Sequence, residues 1–172
     1  MLDHLDEALE LFLERELCGI WEKLPKISFA TPDGDFISTV QQLTLNLFLY
    51  NIQENLEYRN NGWQTAKSIE QSNGDNKARK ITRTPFPLRV DCSYLVTAWA
   101  KGATPEDQKQ QEHELLGEVM RVLMRYRQLP TNLLQGCLEG QELPIRVLGL
   151  RPPQLQSIGE FWQAMGASLR LP

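Results

Sequence analysis

A chain of 172 residues fits one domain and can bury roughly two-thirds of its unfolded surface, so it needs no metal or disulfide staple to fold. Hydrophobic residues at 41% and charged residues at 23% describe a globular protein and exclude a disordered one. The net charge of −4 and a pI near 5.3 argue against nucleic-acid binding, where a basic surface must displace counterions from phosphates.

From Met1 to Leu17 the chain carries Asp3, Asp6, Glu7, Glu10, Glu14 and Glu16, unlike the positive, then apolar, start of a secretory segment. No stretch reaches the ~18 apolar residues of a membrane span. Cys18, Cys92 and Cys137 are widely spaced and odd in number, which does not read as a disulfide framework. The expectation is a reduced, cytoplasmic protein that does not insert into a membrane.

Leu2, Leu5, Leu9, Phe12, Leu13, Leu17 and Ile20 recur at three- and four-residue spacing, which predicts a helix with one apolar stripe. Asp3 is the expected N-cap, with Asp6 near the positive end of the helix dipole. Gly19 and Pro25 end the element. Ile27 to Ala30 predicts a short strand, and Thr31 to Asp35 a turn. In Leu43 to Ile52, Leu43, Leu45, Leu47 and Leu49 share one face while Phe48, Tyr50 and Ile52 share the other. A strand apolar on both faces is central or covered twice.

Residues 56–82 are polar, with turn signals at Asn60-Asn61-Gly62 and Ser72 to Asn76. They predict a long hairpin arm or a mobile loop, and loops this long are usually functional or disordered. Pro87 to Trp99 is a second strand, with Leu88, Val90, Cys92, Tyr94, Val96 and Ala98 on one face. Arg89, Asp91, Ser93 and Thr97 lie on the other. Two long strands flanking the polar arm predict an antiparallel pair. Thr104-Pro105-Glu106-Asp107 opens a helix in which Glu112, Leu115, Leu116, Val119, Leu123 and Tyr126 keep a 3.6-residue period as far as Leu129-Pro130. Leu143 to Leu150 predicts a last strand, and Leu155, Ile158, Trp162, Met165 and Leu169 a closing helix. The fold class is α+β, a mostly antiparallel sheet flanked by helices in one domain spanning 1–172, with a polar arm at about 56–82.

Catalytic signatures are missing. His113-Glu114-Leu115-Leu116-Gly117 has glycine where a zinc-protease helix needs its second histidine. No serine stands in a Gly-x-Ser-x-Gly turn, no glycine-rich phosphate loop exists, and no cysteine has a neighbouring histidine or a Cys-x-x-Cys spacing. The reading is a non-enzyme without cofactor or metal. The basic run Lys77, Arg79, Lys80 and Arg83 suits either an acidic docking surface or a solvated loop. Trp63 in the polar arm is a candidate interface anchor, because tryptophan is enriched at binding hot spots. The candidate partner-interface residues are Arg59, Trp63, Lys77, Arg79, Lys80, Arg83, Arg89 and Asp91.

Several segments resemble a known family. They are Leu45-Asn46-Leu47-Phe48-Leu49-Tyr50-Asn51-Ile52 with Glu54-Asn55-Leu56-Glu57 and Arg59-Asn60, then Pro87 to Trp99. Glu112-His113-Glu114-Leu115-Leu116-Gly117 and Phe161-Trp162-Gln163-Ala164-Met165-Gly166 follow. Together, from about Asp3 to Pro172, they are similar to the cap or tail-terminator proteins of extracellular contractile injection systems, which include antifeeding prophages and Photorhabdus virulence cassettes. The resemblance implies a fold similar to phage tail terminators and a sixfold ring seated on the last layer of inner tube and sheath. That ring would end polymerisation and keep the sheath anchored to the tube end. It implies homo-oligomerisation, sheath and inner-tube proteins as partners, and assembly in the cytoplasm before the particle is released or membrane-anchored. Some members carry a further C-terminal region, whose function is expected to be absent here. An extended sheath segment would add as a strand to the sheet edge or to the 56–82 arm. The alternatives are another structural component of the same machine, baseplate or tail completion, and an enzyme with an unrecognised site.

Overall fold

A computed structural model describes residues 1–21, 23–59, 62–70, 78–102, 104–141 and 143–149. The closing helix expected at 155–169 therefore lies outside the described residues, as does Leu150.

The first helix, α1, runs from Leu2 to Leu17. Its stripe buries Ala8, Leu9, Phe12, Leu13 and Leu17, as the spacing requires. Met1, not Asp3, holds the N-cap position, and Asp3 lies in the first turn, where its charge complements the helix dipole. The helix ends at Leu17, three residues short of Ile20, the last apolar position of the periodic run, with Cys18 as its C-cap. A strand β1, Lys26–Ser28, follows, and then a six-residue helix α2, Gly34–Thr39. The turn cluster predicted here hides that helix. Asp33 starts it by accepting the Phe36 backbone N–H on Oδ1 at 2.8 Å.

Strand β2 spans Thr44–Glu54. Thr44, Leu45, Asn46 and Leu47 are all buried, so both faces of its first half are covered. Asn46 has no solvent exposure; its Nδ2 donates to the Ala30 carbonyl at 3.0 Å. β1 pairs with β2 in parallel, Ile27 opposite Leu45. The third strand of this sheet, β5, spans Val90–Trp99, giving the order β1-β2-β5. It begins three residues later than the hydrophobic pattern indicates. Pro85 and Pro87 have no N–H to donate to a ladder.

Helix α3, Pro105–Arg125, starts where the sequence predicts. Thr104 is its N-cap: Oγ1 accepts the Asp107 N–H at 3.1 Å, with Pro105 in the first turn. Leu115, Val119 and Val122 are buried, whereas Leu116 and Leu123 sit at the edge of the core. Glu112, counted in the periodic stripe, instead uses Oε1 to accept the Ala100 N–H at 3.0 Å. Two 3-10 turns follow, Thr131–Leu133 and Gly136–Leu138. The strand expected at Leu143 to Leu150 is reduced to one antiparallel bridge, Gln128 with Arg146, held by Leu129 N–H to Ile145 O and Val147 N–H to Arg127 O, both 2.9 Å. Pro144 removes the donor that a continuous ladder would need there.

Chain contacts resolve two compact units, residues 1–48 with 94–172, and residues 49–93. In the first unit, one core joins Phe12, Leu13 and Leu17 of α1 to Ile27, to Leu45 and Leu47 of β2, to Leu115, Val119 and Val122 of α3, and to Leu129. Phe12 meets Tyr126 edge-on at 5.1 Å, and the Tyr126 hydroxyl donates to Glu16 at 2.8 Å. That bond raises the Tyr126 phenol above its ordinary value, with burial and the Glu16 charge acting in the same direction. Tyr94 of β5 similarly donates to Asp6 of α1 at 2.6 Å.

Candidate functional site

The second unit contains the arm. Trp63–Glu70 forms β3 and Ala78–Pro85 forms β4, paired antiparallel from Trp63 opposite Pro85 to Glu70 opposite Ala78. Of the two forms the composition allows for this segment, the described strands make a hairpin. Its base is tied by Asn55. The Asn55 backbone N–H donates to the Arg89 carbonyl at 2.9 Å, Nδ2 donates to Asp91 Oδ1 at 2.8 Å, and Oδ1 accepts the Tyr58 N–H at 3.1 Å. One side chain thereby fixes the 3-10 turn Leu56–Tyr58 to the strand that follows the hairpin.

The eight candidate interface residues separate into groups. Trp63 is 64% exposed, and Arg83 is exposed on β4. Arg59 is half exposed, with Nε 3.5 Å from Glu54 Oε1. Arg89 and Asp91 are half-buried, and Asp91 serves the Asn55 clamp. Arg79 and Lys80 occupy β4, and Lys77 lies outside the described residues. The pairing register puts Trp63, Thr65, Arg83, Pro85 and Ile81 in one phase of the pleat, together with the positions of Lys67, Ile69 and Arg79. The opposite phase holds Thr82 and Thr84, together with the positions of Gln64, Ala66, Ser68, Glu70, Ala78 and Lys80. The hairpin is therefore two-sided, with its aromatic and most of its cations sharing one phase. Leu88 (77% exposed) and Val90 (41%), which share the apolar face of the expected strand, are exposed.

The sequence pattern missed one pairing. His4 Nδ1 lies 3.1 Å from Cys137 Sγ, and the Cys137 N–H points to the same nitrogen at 3.4 Å. Residues 133 apart have no sequence signature for this contact. Gly136 makes it possible: with φ +58°, a side chain there would overlap the His4 ring.

A wide, polar cleft of about 490 Å³ is lined by residues including Lys23, Lys26, Ser28, Phe36 and Gln42. Among the described residues, no three His, Cys, Asp or Glu side chains are grouped to hold a metal ion, and no helix is long and apolar enough to cross a membrane.

The first unit holds the buried core, and the second holds the two-sided hairpin. A family model for the Pvc16 N-terminal domain matches residues 4–172. The chain belongs to the Pvc16 N-terminal domain family. Among solved structures it is similar to the sheath/tube terminator of an extracellular contractile injection system, PVC, in the extended state. The TM-score is 0.62 at 22% identity, across 99% of this chain and 52% of that one. The chain thus spans about half the length of that terminator. The likeness establishes a shared α+β fold for the family member described here. A comparison with curated proteins gave no match.

Proposed function

We propose that this protein is a tail-terminator subunit of a contractile injection system, forming a ring, expected to be sixfold, that ends polymerisation of inner tube and sheath and anchors the sheath to the tube end. The family membership over residues 4–172 carries this reading, and the fold shared with a PVC sheath/tube terminator supports it. Such a protein acts by geometry and requires no cofactor. A helical tail is built from heterologous contacts that do not close. A terminator must match the last ring on one face without repeating that surface on the other. Assembly then takes place in the cytoplasm, and the subunit ends up in the injection particle.

The partners are further copies of the chain and the sheath and inner-tube proteins. Sheath attachment uses strand addition at an edge of the β1-β2-β5 sheet or at the 56–82 arm, where main-chain hydrogen bonds give affinity and alternate side chains give specificity. Arg59, Trp63, Lys77, Arg79, Lys80, Arg83, Arg89 and Asp91 form or support the partner interface of the arm. An epitope tag on the chain, labelled with gold on assembled tails, tests the assignment. The label belongs at one end of each tail; label at the baseplate end or along the shaft would contradict it.

A further inference from the structure

The charge of this chain is segregated. Residues 59–89 hold seven Lys and Arg against two Asp and Glu, a net +5 in a chain of −4, so the remainder carries −9. Within that remainder, α1 holds six acids and Arg15 as its only Lys or Arg. Asp6 and Glu16 are occupied by the hydroxyls of Tyr94 and Tyr126. Asp3, Glu7, Glu10 and Glu14 recur at four-, three- and four-residue steps, one stripe on the helix. Glu7, Glu10 and Glu14, with the partly exposed Leu11 and Gln135, line a shallow groove of about 280 Å³.

The hairpin carries the complement. Its Trp63 phase offers a large aromatic beside Arg83 and the Lys67 and Arg79 positions. In the unit that bears it, Ile52, Leu56, Trp63, Ile81, Leu88 and Val90 are exposed. Arg79 to Arg83 spans about 13 Å along a strand. Glu7 to Glu14 spans about 10 Å along a helix.

We propose that the Trp63–Arg83 face of the hairpin docks on the Glu7–Glu10–Glu14 stripe of α1 in a second copy of this chain, with Trp63 seated beside Leu11 and the cations over the carboxylates. This rests on the terminator reading and names the partner of the arm. The contact joins two different surfaces, so it repeats from copy to copy, as ring formation requires. An aromatic anchor surrounded by complementary charge also fixes register and disfavours wrong partners.

The test uses the full chain in assembled tails, with a photo-crosslinkable phenylalanine replacing Trp63. A second variant carries it at exposed Thr65, in case a change at Trp63 keeps the chain out of particles. Irradiation is expected to join two copies of the chain through residues 7–14 of the second. An adduct to a sheath or tube protein, an adduct elsewhere on the chain, or none in particles that contain it would overturn the proposal. Arg83→Glu should lower the yield from the Thr65 probe about tenfold, since like charges repel across an interface. Adding Glu14→Arg to that variant should restore it, and no recovery would count against the pairing. The terminator reading has a separate readout: capped tails of normal length made without the chain would remove the ring, and with it this contact.

Discussion

Residues 1–48 and 94–149 place Phe12, Leu13, Leu17, Leu45 and Leu115 wholly out of solvent, whereas residues 49–93 leave Ile52, Leu56, Trp63, Ile81, Leu88 and Val90 exposed. Both regions contain strands. The difference lies in what covers them. Two amphipathic helices close over the first region. Among the described residues, the second has the hairpin, the 3-10 turn Leu56–Tyr58 and the Asn55 clamp. The first region holds the buried core; the second leaves apolar groups exposed, the pattern from which the docking proposal is argued.

That contrast can be broken by mutation. Phe12→Ala should give the largest loss of stability, about 3–5 kcal/mol, because it empties the centre of the first core. Chemical denaturation would show it as a lower midpoint with an unchanged slope. Thr104→Ala should cost about 1 kcal/mol by leaving the Asp107 N–H without its cap.

Tyr126→Phe sharpens the comparison through pH. The folded phenol has a raised pKa, so its bond to Glu16 stabilises the fold fully below the ordinary tyrosine range. That contribution is lost as pH rises through the folded value. Stability of the wild type measured between pH 8 and the alkaline limit should therefore fall more steeply than that of Tyr126→Phe. Equal slopes would place the pH dependence elsewhere. Trp63→Ala should have the smallest effect on folding, less than ~0.5 kcal/mol, since its side chain is mostly in solvent. The same variant should assemble poorly. A large loss of stability from Trp63→Ala would mean that the hairpin is part of the core, and the comparison would collapse.

Much of the first region was legible in the sequence. The stripes Leu9-Phe12-Leu13 and Leu115-Val119 repeat over several turns, and the capping residues of α3 stand in order at Thr104 and Pro105. Alternation likewise located β2. What was lost has local causes. Six residues of α2 are too few to show a helical period, and Asp33 reads equally well as a turn residue or a cap. Leu143, Ile145 and Val147 alternate like a strand, yet Pro144 interrupts the donors. Leu88 and Val90 share the apolar face of the expected strand, but alternation reports only that two faces differ, and these residues lie in the region without a closing helix. The His4–Cys137 contact depends on the chain returning to α1 through a left-handed glycine, which no spacing rule reaches. For the arm, composition located the segment and its charge, while the division of the hairpin into two phases needed the register from Trp63–Pro85 to Glu70–Ala78.

The central claim, that this chain ends a growing tail, is tested most directly by imaging sheath–tube particles assembled with and without it in negative stain. The account predicts overlong or unfinished polymers in its absence and a restored, narrow length distribution when it is supplied. Capped particles of normal length without the chain would contradict it.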